Sequence, residues 1–151
     1  MKEQVTIPSG VEVLLNLEDN ATISLEATGS SNEGPKRAYA LDNYGDLTII
    51  GDVIESHGIY NHSKATLTIK DSTIVATDSD GGAAINAQGG NVILDNVVLK
   101  AKTGSDTTDV TEMQSEPTCL KISNKGAVTA TNCTIKAEIS RAYAVQVYED
   151  C

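Results

Sequence analysis

The chain has 151 residues, a formal net charge of -10 and an aromatic fraction of 3%, with five Tyr and no Phe or Trp. Hydrophobic residues still make up 40%, which excludes an intrinsically disordered chain as the overall class. The acidic balance, 21 Asp and Glu against 11 Lys and Arg, opposes nucleic-acid binding, which needs a positive face to replace counterions.

The first residues, Met1 to Pro8, contain no apolar h-region and do not read as a signal peptide. No run of ~18 apolar residues follows, so no transmembrane helix and no membrane partner are expected. From Val5 to Ile23 apolar residues alternate with polar ones (Val5, Ile7, Val11, Val13, Leu15, Leu17), which predicts short strands with one face inward. Ser30 to Pro35 is a loop leading to the first full repeat.

A repeated pattern then runs along the chain, the sign of a stacked architecture. Leu47-Thr-Ile49-Ile-Gly51-Asp-Val-Ile54 matches Leu67-Thr-Ile69-Lys-Asp71-Ser-Thr-Ile74. Val92-Ile-Leu94-Asp-Asn96-Val-Val-Leu99 and Val128-Thr-Ala130-Thr-Asn132-Cys-Thr-Ile135 continue the series. Each member is preceded by a short apolar segment and an Asn: Leu41 with Asn43, Ile59 with Asn61, Ile85 with Asn86, Ile122 with Asn124. Asn and Gly tolerate the left-handed backbone of a sharp corner, which is the role expected of these Asn residues. The predicted unit is strand, corner, short strand, corner, short strand, then a loop of variable length. Insertions follow the third strand, at Thr77 to Gly82 and Thr103 to Thr118. Near the end, Arg141 to Tyr148 repeats the pattern of Arg37 to Tyr44.

A helical reading fails, because no 3.6-residue period persists and Gly or Asn interrupts every few residues. A β-sandwich of hairpins also produces short strands with regular turns. The fixed order, with variation confined to one loop, favours an all-β, right-handed, single-stranded parallel β-helix (β-solenoid) of about five to six coils. The expected organisation is one domain over 1–151: an opening coil and loop at 1–36, repeats at 37–140, and an incomplete terminal coil at 141–151. The missing Phe and Trp fit a narrow bore lined by Val, Ile, Leu and Ala.

These residues resemble the right-handed parallel β-helix (pectate-lyase-like) superfamily. The nearer likeness is to non-enzymatic repeats in surface proteins of gut bacteria and in phages. There the opening reads like Thr6-Ile7-Pro8-Ser-Gly10 followed by Val13, Leu15 and Leu17. The coils read like Ala40-Leu41-Asp-Asn43-Tyr-Gly45-Asp-Leu47-Thr48-Ile49. The resemblance spans about the whole chain and implies the fold more than the function. The chain departs from the family in being short, with its last copy cut at Asp150 and Cys151.

An acidic β-helix raises polysaccharide cleavage, which by resemblance clusters Asp residues with a basic partner, and hydrolysis needs two carboxylates at fixed separation. The candidates are Asp42, Asp46, Asp71 and Asp95, with Arg37 and Arg141 as the two arginines. Corner and strand-start roles account better for all six, so no catalytic residue is assigned. Asp78-Ser-Asp80-Gly resembles part of a calcium loop but lacks the acidic residue at its twelfth position, and His57 and His62 have no nearby Cys to complete a zinc set. No metal and no cofactor are expected. Cys119, Cys133 and Cys151 are expected as free thiols, although Cys119 and Cys133 are close enough in sequence for a bridge within one coil. Thr66, Thr68, Thr129 and Thr131 suggest a Thr array of the ice-binding kind, but Asp46, Asn91 and Ile93 interrupt it.

The leading expectation is a non-enzymatic structural or adhesive β-solenoid, specifically a phage virion component such as a head decoration or fibre protein. It rests on the missing signal peptide, the short chain and the uncovered terminal coil, which suits self-association or contact with other virion proteins. The alternative is a fragment of a bacterial cell-surface adhesin binding glycan or protein, located extracellularly or at the cell surface. A polysaccharide-degrading, tailspike-like enzyme is the third.

Overall fold

Short strands joined by corners of only a few residues cannot be parallel neighbours of one another, because a parallel connection needs a crossover of a dozen or more residues. Consecutive strands must either turn back as hairpins or lie in different sheets. In the computed structural model, which describes residues 5–17, 22–25, 41–51, 53–56, 58–76, 83–101, 118–138 and 142–148, the chain takes the second course.

The strands are β1 (Val5–Ile7), β2 (Glu12–Asn16), β3 (Thr22–Leu25), β4 (Leu41–Asn43), β5 (Asp46–Ile50), β6 (Val53–Ser56) and β7 (Ile59–Asn61). They continue as β8 (Thr66–Ala76), β9 (Ala83–Gln88), β10 (Asn91–Ala101), β11 (Thr118–Ser123), β12 (Ala127–Thr131), β13 (Thr134–Ala137) and β14 (Tyr143–Val147). One sheet has the order β1-β4-β7-β9-β11-β14 and a second has the order β2-β5-β8-β10-β12. A further ladder joins β3 to β6, β6 to the second half of β8, and β10 to β13. Every pairing is parallel. The crossover between neighbours in one sheet is thus supplied by the strands of the other ladders. Among the described residues no helix is long and apolar enough to cross a membrane.

The registers match the repeats read from the sequence. Leu47 pairs with Leu67, Leu67 with Val92 and Val92 with Val128. Further along the unit Ile54 pairs with Ile74, Ile74 with Leu99 and Leu99 with Ile135. The terminal repeat is in register as well, since Leu41, Ile59, Ile85, Leu120 and Val145 form one column. Alternation decides what is buried: Leu67 and Ile69 are fully enclosed while Thr68 between them reaches solvent. Parallel sheets are usually covered on both faces and read as continuous apolar runs. Here the second sheet has one wet face, which is why its pattern alternates, whereas Ala83 to Ala87 in the first sheet are buried on both faces. The core is a set of aliphatic columns, including Leu47, Ile49, Ile74, Ile85, Leu94 and Leu99. At the far edge β14 pairs with β11, and there Val145 and Val147, in line with Leu120 and Ile122, are 44% and 63% exposed.

The two corners work differently. At the second, Gly51, Asp71, Asn96 and Asn132 occupy one position, and all four have positive φ (110°, 50°, 54° and 54°). Side chains there tolerate the left-handed region only as Gly, Asn or Asp do. The Asn96 amide donates to the Asp71 carboxylate at 2.8 Å, tying two layers together at the bend.

At the first corner the expectation of left-handed Asn holds at Asn124 (φ 51°) and is corrected at Asn43, Asn61 and Asn86. Asn43 and Asn61 are fully buried, in strand, and in register with each other. Asn43 Nδ2 donates to Asn61 Oδ1 at 2.8 Å and to the Thr66 carbonyl at 3.0 Å. Its Oδ1 accepts the Gly45 N–H at 3.2 Å. Asn61 Nδ2 donates to the carbonyls of Ala65 (3.3 Å) and Asn91 (3.0 Å). These amides add a second donor at the corner to carbonyls of the following strands, such as that of Ala65, which also accepts the Asn91 N–H at 2.9 Å. Asn86 and Asn124 do not belong to this column: Ala87 pairs with Asn61 and Ile122 with Ala87. Left-handed φ at these corners falls instead on Gly10, Lys64, Gly89, Asn124 and Lys125. At Ser123 to Gly126 two successive positive φ values and the Gly126 N–H to Ser123 carbonyl bond (2.9 Å) make a type I′ turn. Gly45 has a different reason: a Cβ there would collide with the carbonyl oxygens of Val11 and Pro8 in the preceding layer.

The segments at 77–82 and 102–117 lie outside the described residues. The strands before them end at Ala76 and Ala101, and the next begin at Ala83 and Thr118.

Two stability measurements check this account. Ile69→Ala removes a core side chain and will cost about 2–5 kcal/mol in urea unfolding, while Thr68→Ala stays within about 0.5 kcal/mol. Equal effects would contradict the assigned inward face. Asn61→Ala leaves one Asn43 amide hydrogen without its acceptor and removes two buried amide donor bonds, although the Ala65 carbonyl keeps its bond from the Asn91 N–H, and will cost about 1–3 kcal/mol. A loss under about 0.5 kcal/mol would contradict the buried-amide account.

Candidate functional site

With the aliphatic columns inside, chemistry is left to the outward columns and the corners. The outer face of the first sheet is the most varied. Thr6, Asp42, Tyr60, Asn86, Lys121 and Gln146 follow one another in register. The residues just past the buried Asn43 and Asn61 form the adjoining column, Tyr44 and His62, continued by Gln88 and Ser123, which pair with each other.

Three rings meet here. Tyr44 and His62 are stacked, with centroids 3.7 Å apart and planes 13° from parallel. Tyr60 leans on His62 at 4.3 Å and 51°. His62 Nε2 lies 3.4 Å from Asp42 Oδ1. The buried Asn43–Asn61 pair fixes this arrangement, because it locks the register of the flanking residues. Tyr44 is 42% exposed, and Tyr60 and His62 are half-buried. Burial pushes the Tyr60 phenol above its ordinary range, with the Asp42 charge and then Tyr44 adding to the effect. Further along the face, Lys121 Nζ stands 4.6 Å over the Tyr148 ring, a cation–π contact. Of the described tyrosines, Tyr44, Tyr60 and Tyr148 belong to this outer face.

The acidic candidates do not converge. Asp42 is beside His62 on the first sheet. Asp46 lies outward between Glu12 and Thr66 on the second. Asp95 lies between Lys70 and Thr131 in another column, and Asp71 holds the second corner. Arg37, Arg141, Asp78, Asp80, His57 and Cys151 lie outside the described residues. Among the described residues no group of three His, Cys, Asp or Glu side chains is placed to hold a metal ion. The Thr columns are interrupted as expected: Thr66 lies between Asp46 and Asn91, and Thr68 pairs with Ile93.

Cys119 and Cys133 are both free. Cys119 is fully buried and its Sγ is 3.3 Å from the Lys136 carbonyl. Cys133 is half-buried at the second corner, 3.1 Å from the Thr131 carbonyl. Burial pushes the Cys119 thiol from 9.0 up to about 11, against a smaller downward pull from hydrogen bonds to Lys136 and Ala101. The thiolate is the reactive form, so Cys119 is inert in the folded chain.

The ring cluster is the feature that residue-by-residue reading misses. In the sequence His62 is an isolated histidine with no nearby Cys to complete a zinc set, and the tyrosines carry no assigned role. The pointer was present in the alternation around the two Asn residues: Asp42-Asn43-Tyr44 over Tyr60-Asn61-His62.

Labelling tests the thiol assignment. With iodoacetamide on native protein at about pH 8, Cys133 will be alkylated while Cys119 stays unmodified until unfolding. The raised Cys119 pKa favours the folded state fully below its ordinary value of 9.0, and that contribution is lost as pH rises through about 11. Equal labelling of both thiols in the native state would contradict the burial. Comparison with protein families, with curated proteins and with solved structures finds no match to this chain.

Proposed function

We propose that the chain is a non-enzymatic, right-handed β-solenoid of about five to six coils that serves as a structural and adhesive module. The observation that supports it is the continuous parallel register from β2 to β12, with aliphatic residues in both inward columns of that sheet. The right hand follows from the rule that crossovers between parallel strands of one sheet are right-handed in about 98% of cases. A scaffold of this kind presents a stiff outer surface built from short repeats.

Within that reading we place the protein in a phage virion, as a head decoration or fibre protein. Its binding surfaces are then the outer sheet faces, and its neighbours are other virion proteins or further copies of itself. A second reading, a fragment of a bacterial cell-surface adhesin, is favoured by one observation, the cluster of Tyr44, Tyr60 and His62 on an outer face. Polysaccharide cleavage is not favoured, because Asp42, Asp46, Asp71 and Asp95 stand in different columns rather than as a facing pair.

Mass spectrometry of gradient-purified particles separates the two locations. The virion reading expects the protein to sediment with capsid proteins at constant stoichiometry. Recovery in the bacterial envelope fraction, as part of a longer anchored chain, would overturn it in favour of the adhesin.

A further inference from the structure

We infer that the two ends of the described stack dock on one another between copies, head to tail, so that a second copy of this chain continues the winding. This rests on the β-solenoid reading above and adds a partner and a contact distinct from the outer sheet faces.

The two ends leave the same features uncovered. Among the described residues, β1, β2 and β3 each pair on one side only, with β4, β5 and β6. At the other end β12 and β13 pair only with β10, and β14 only with β11. Each end is thus three free strand edges, one per ladder, and a free edge is a template for another strand. The inward side chains there lack the cover of a further layer. Val5 is 45% exposed, while Leu41, next in its column, is 2% exposed. Val145 is 44% exposed and Leu120 beside it 3%. Val13 and Val128, both half-buried, stand at opposite ends of the column that encloses Leu47, Leu67 and Val92.

Winding order fixes how the ends meet. The chain visits the first sheet, the second sheet and the third ladder in turn, and β14 belongs to the first sheet. The next free places therefore lie over β12, then β13, then β14. A second copy turned by one ladder sets its β1, β2 and β3 in those places, with every contact parallel at about 4.8 Å. Val128 and Ala130 then receive Val5 and Ile7, and Ile135 and Ala137 receive Val13 and Leu15. Val145 and Val147 meet β3, where Ile23 holds the column position of Ile54 and Ile74. Aliphatic positions face aliphatic positions at all three edges.

Charge selects the partner and its direction. In a chain of net charge -10, residues 1–25 carry one basic residue against four acidic ones, while residues 118–151 carry four basic against three acidic. Head-to-tail docking brings the acidic end onto the less acidic, lysine-bearing end, which holds Lys121, Lys125 and Lys136. Tail-to-tail docking sets those lysines against their own copies and runs the facing strands antiparallel. An unrelated protein can add a strand to one edge. It meets all three only if it winds at the same spacing, as this chain's own first layer does. A head-to-tail contact that does not close gives an open series of copies.

Sedimentation velocity of the full chain over a concentration series tests this, with variants blocked at one end. The wild type is expected to form a concentration-dependent series of species that salt weakens. Val5→Asp blocks the first layer and Val147→Asp the last, because each places a carboxylate inside the joint. Each variant alone is expected to be monomeric, having lost one of the two surfaces that every contact needs. Mixed one to one, they are expected to form a single heterodimer through their remaining ends. Circular dichroism checks the fold of each variant. If either is unfolded, the outward substitutions Glu12→Lys and Lys136→Glu take their place in the same mixing test, each expected to weaken self-association about tenfold. A wild type that stays monomeric up to about 1 mM overturns the inference. Undiminished self-association of either blocked variant alone overturns it also, since that means contact between like ends or through the outer faces. Nuclear Overhauser contacts between Leu67 and Val92 are recorded on the same wild-type sample. Their presence in a monomer removes the docking and leaves the solenoid standing; their absence removes the solenoid reading itself.

Discussion

Parallel backbone pairing between successive layers is the constraint on which the rest of the structure depends. Each strand finds its hydrogen-bond partners in the layer before and the layer after, about 4.8 Å away. An inward side chain therefore rests on the residue at the same place in the next repeat. The column is the packing unit, and an aliphatic column must accept its own kind of residue. Val13, Leu47, Leu67, Val92 and Val128 meet this condition, as do Leu15, Ile49, Ile69 and Leu94. The composition follows: the interior takes aliphatic residues of similar bulk, three of the four described tyrosines (Tyr44, Tyr60 and Tyr148) lie on the outer face, and Tyr143 is on the terminal strand in line with Thr118, 41% exposed.

Corners carry the cost of that arrangement, because each turn takes backbone out of the ladder. The protein meets the cost in two ways. At the second corner the chain bends through one left-handed residue per layer, and Asp71 with Asn96 adds a link between layers. At the first, Asn43 and Asn61 stay in the strand and turn their amides onto carbonyls of the following strands. Where Ala87 and Ile122 replace Asn in that column, the adjoining turns use Gly89, or Asn124 with Lys125, at positive φ. Left-handed backbone is not confined to those layers, since Lys64 follows Asn61 at positive φ; what changes along the column is whether a buried amide also reaches the carbonyls of the following strand.

Much of this was legible in the sequence because the repeat and the packing share one period. Aligning Leu47, Leu67, Val92 and Val128 by pattern is the same operation as stacking them. The second corner was legible for the same reason, since Gly51, Asp71, Asn96 and Asn132 are residues that left-handed backbone selects. The first corner was misread at Asn43, Asn61 and Asn86 and read correctly at Asn124, because an Asn near a turn has two uses. One is a conformational preference of its own backbone; the other is an amide that serves someone else's. Only the register separates them. The ring cluster was hidden for a related reason. Tyr44, Tyr60 and His62 are brought together by stacking between layers, and a lone Tyr or His in a strand carries no sign of its neighbour until Asn43 is set against Asn61.

The direct test is the pattern of interstrand nuclear Overhauser effects in the isotopically labelled protein. The account predicts parallel contacts between strands that are two or three apart in the chain, linking Leu47 to Leu67, Leu67 to Val92 and Val92 to Val128. Strong Hα–Hα contacts between consecutive strands, such as Leu41–Asn43 with Asp46–Ile50, would indicate antiparallel hairpins and contradict it.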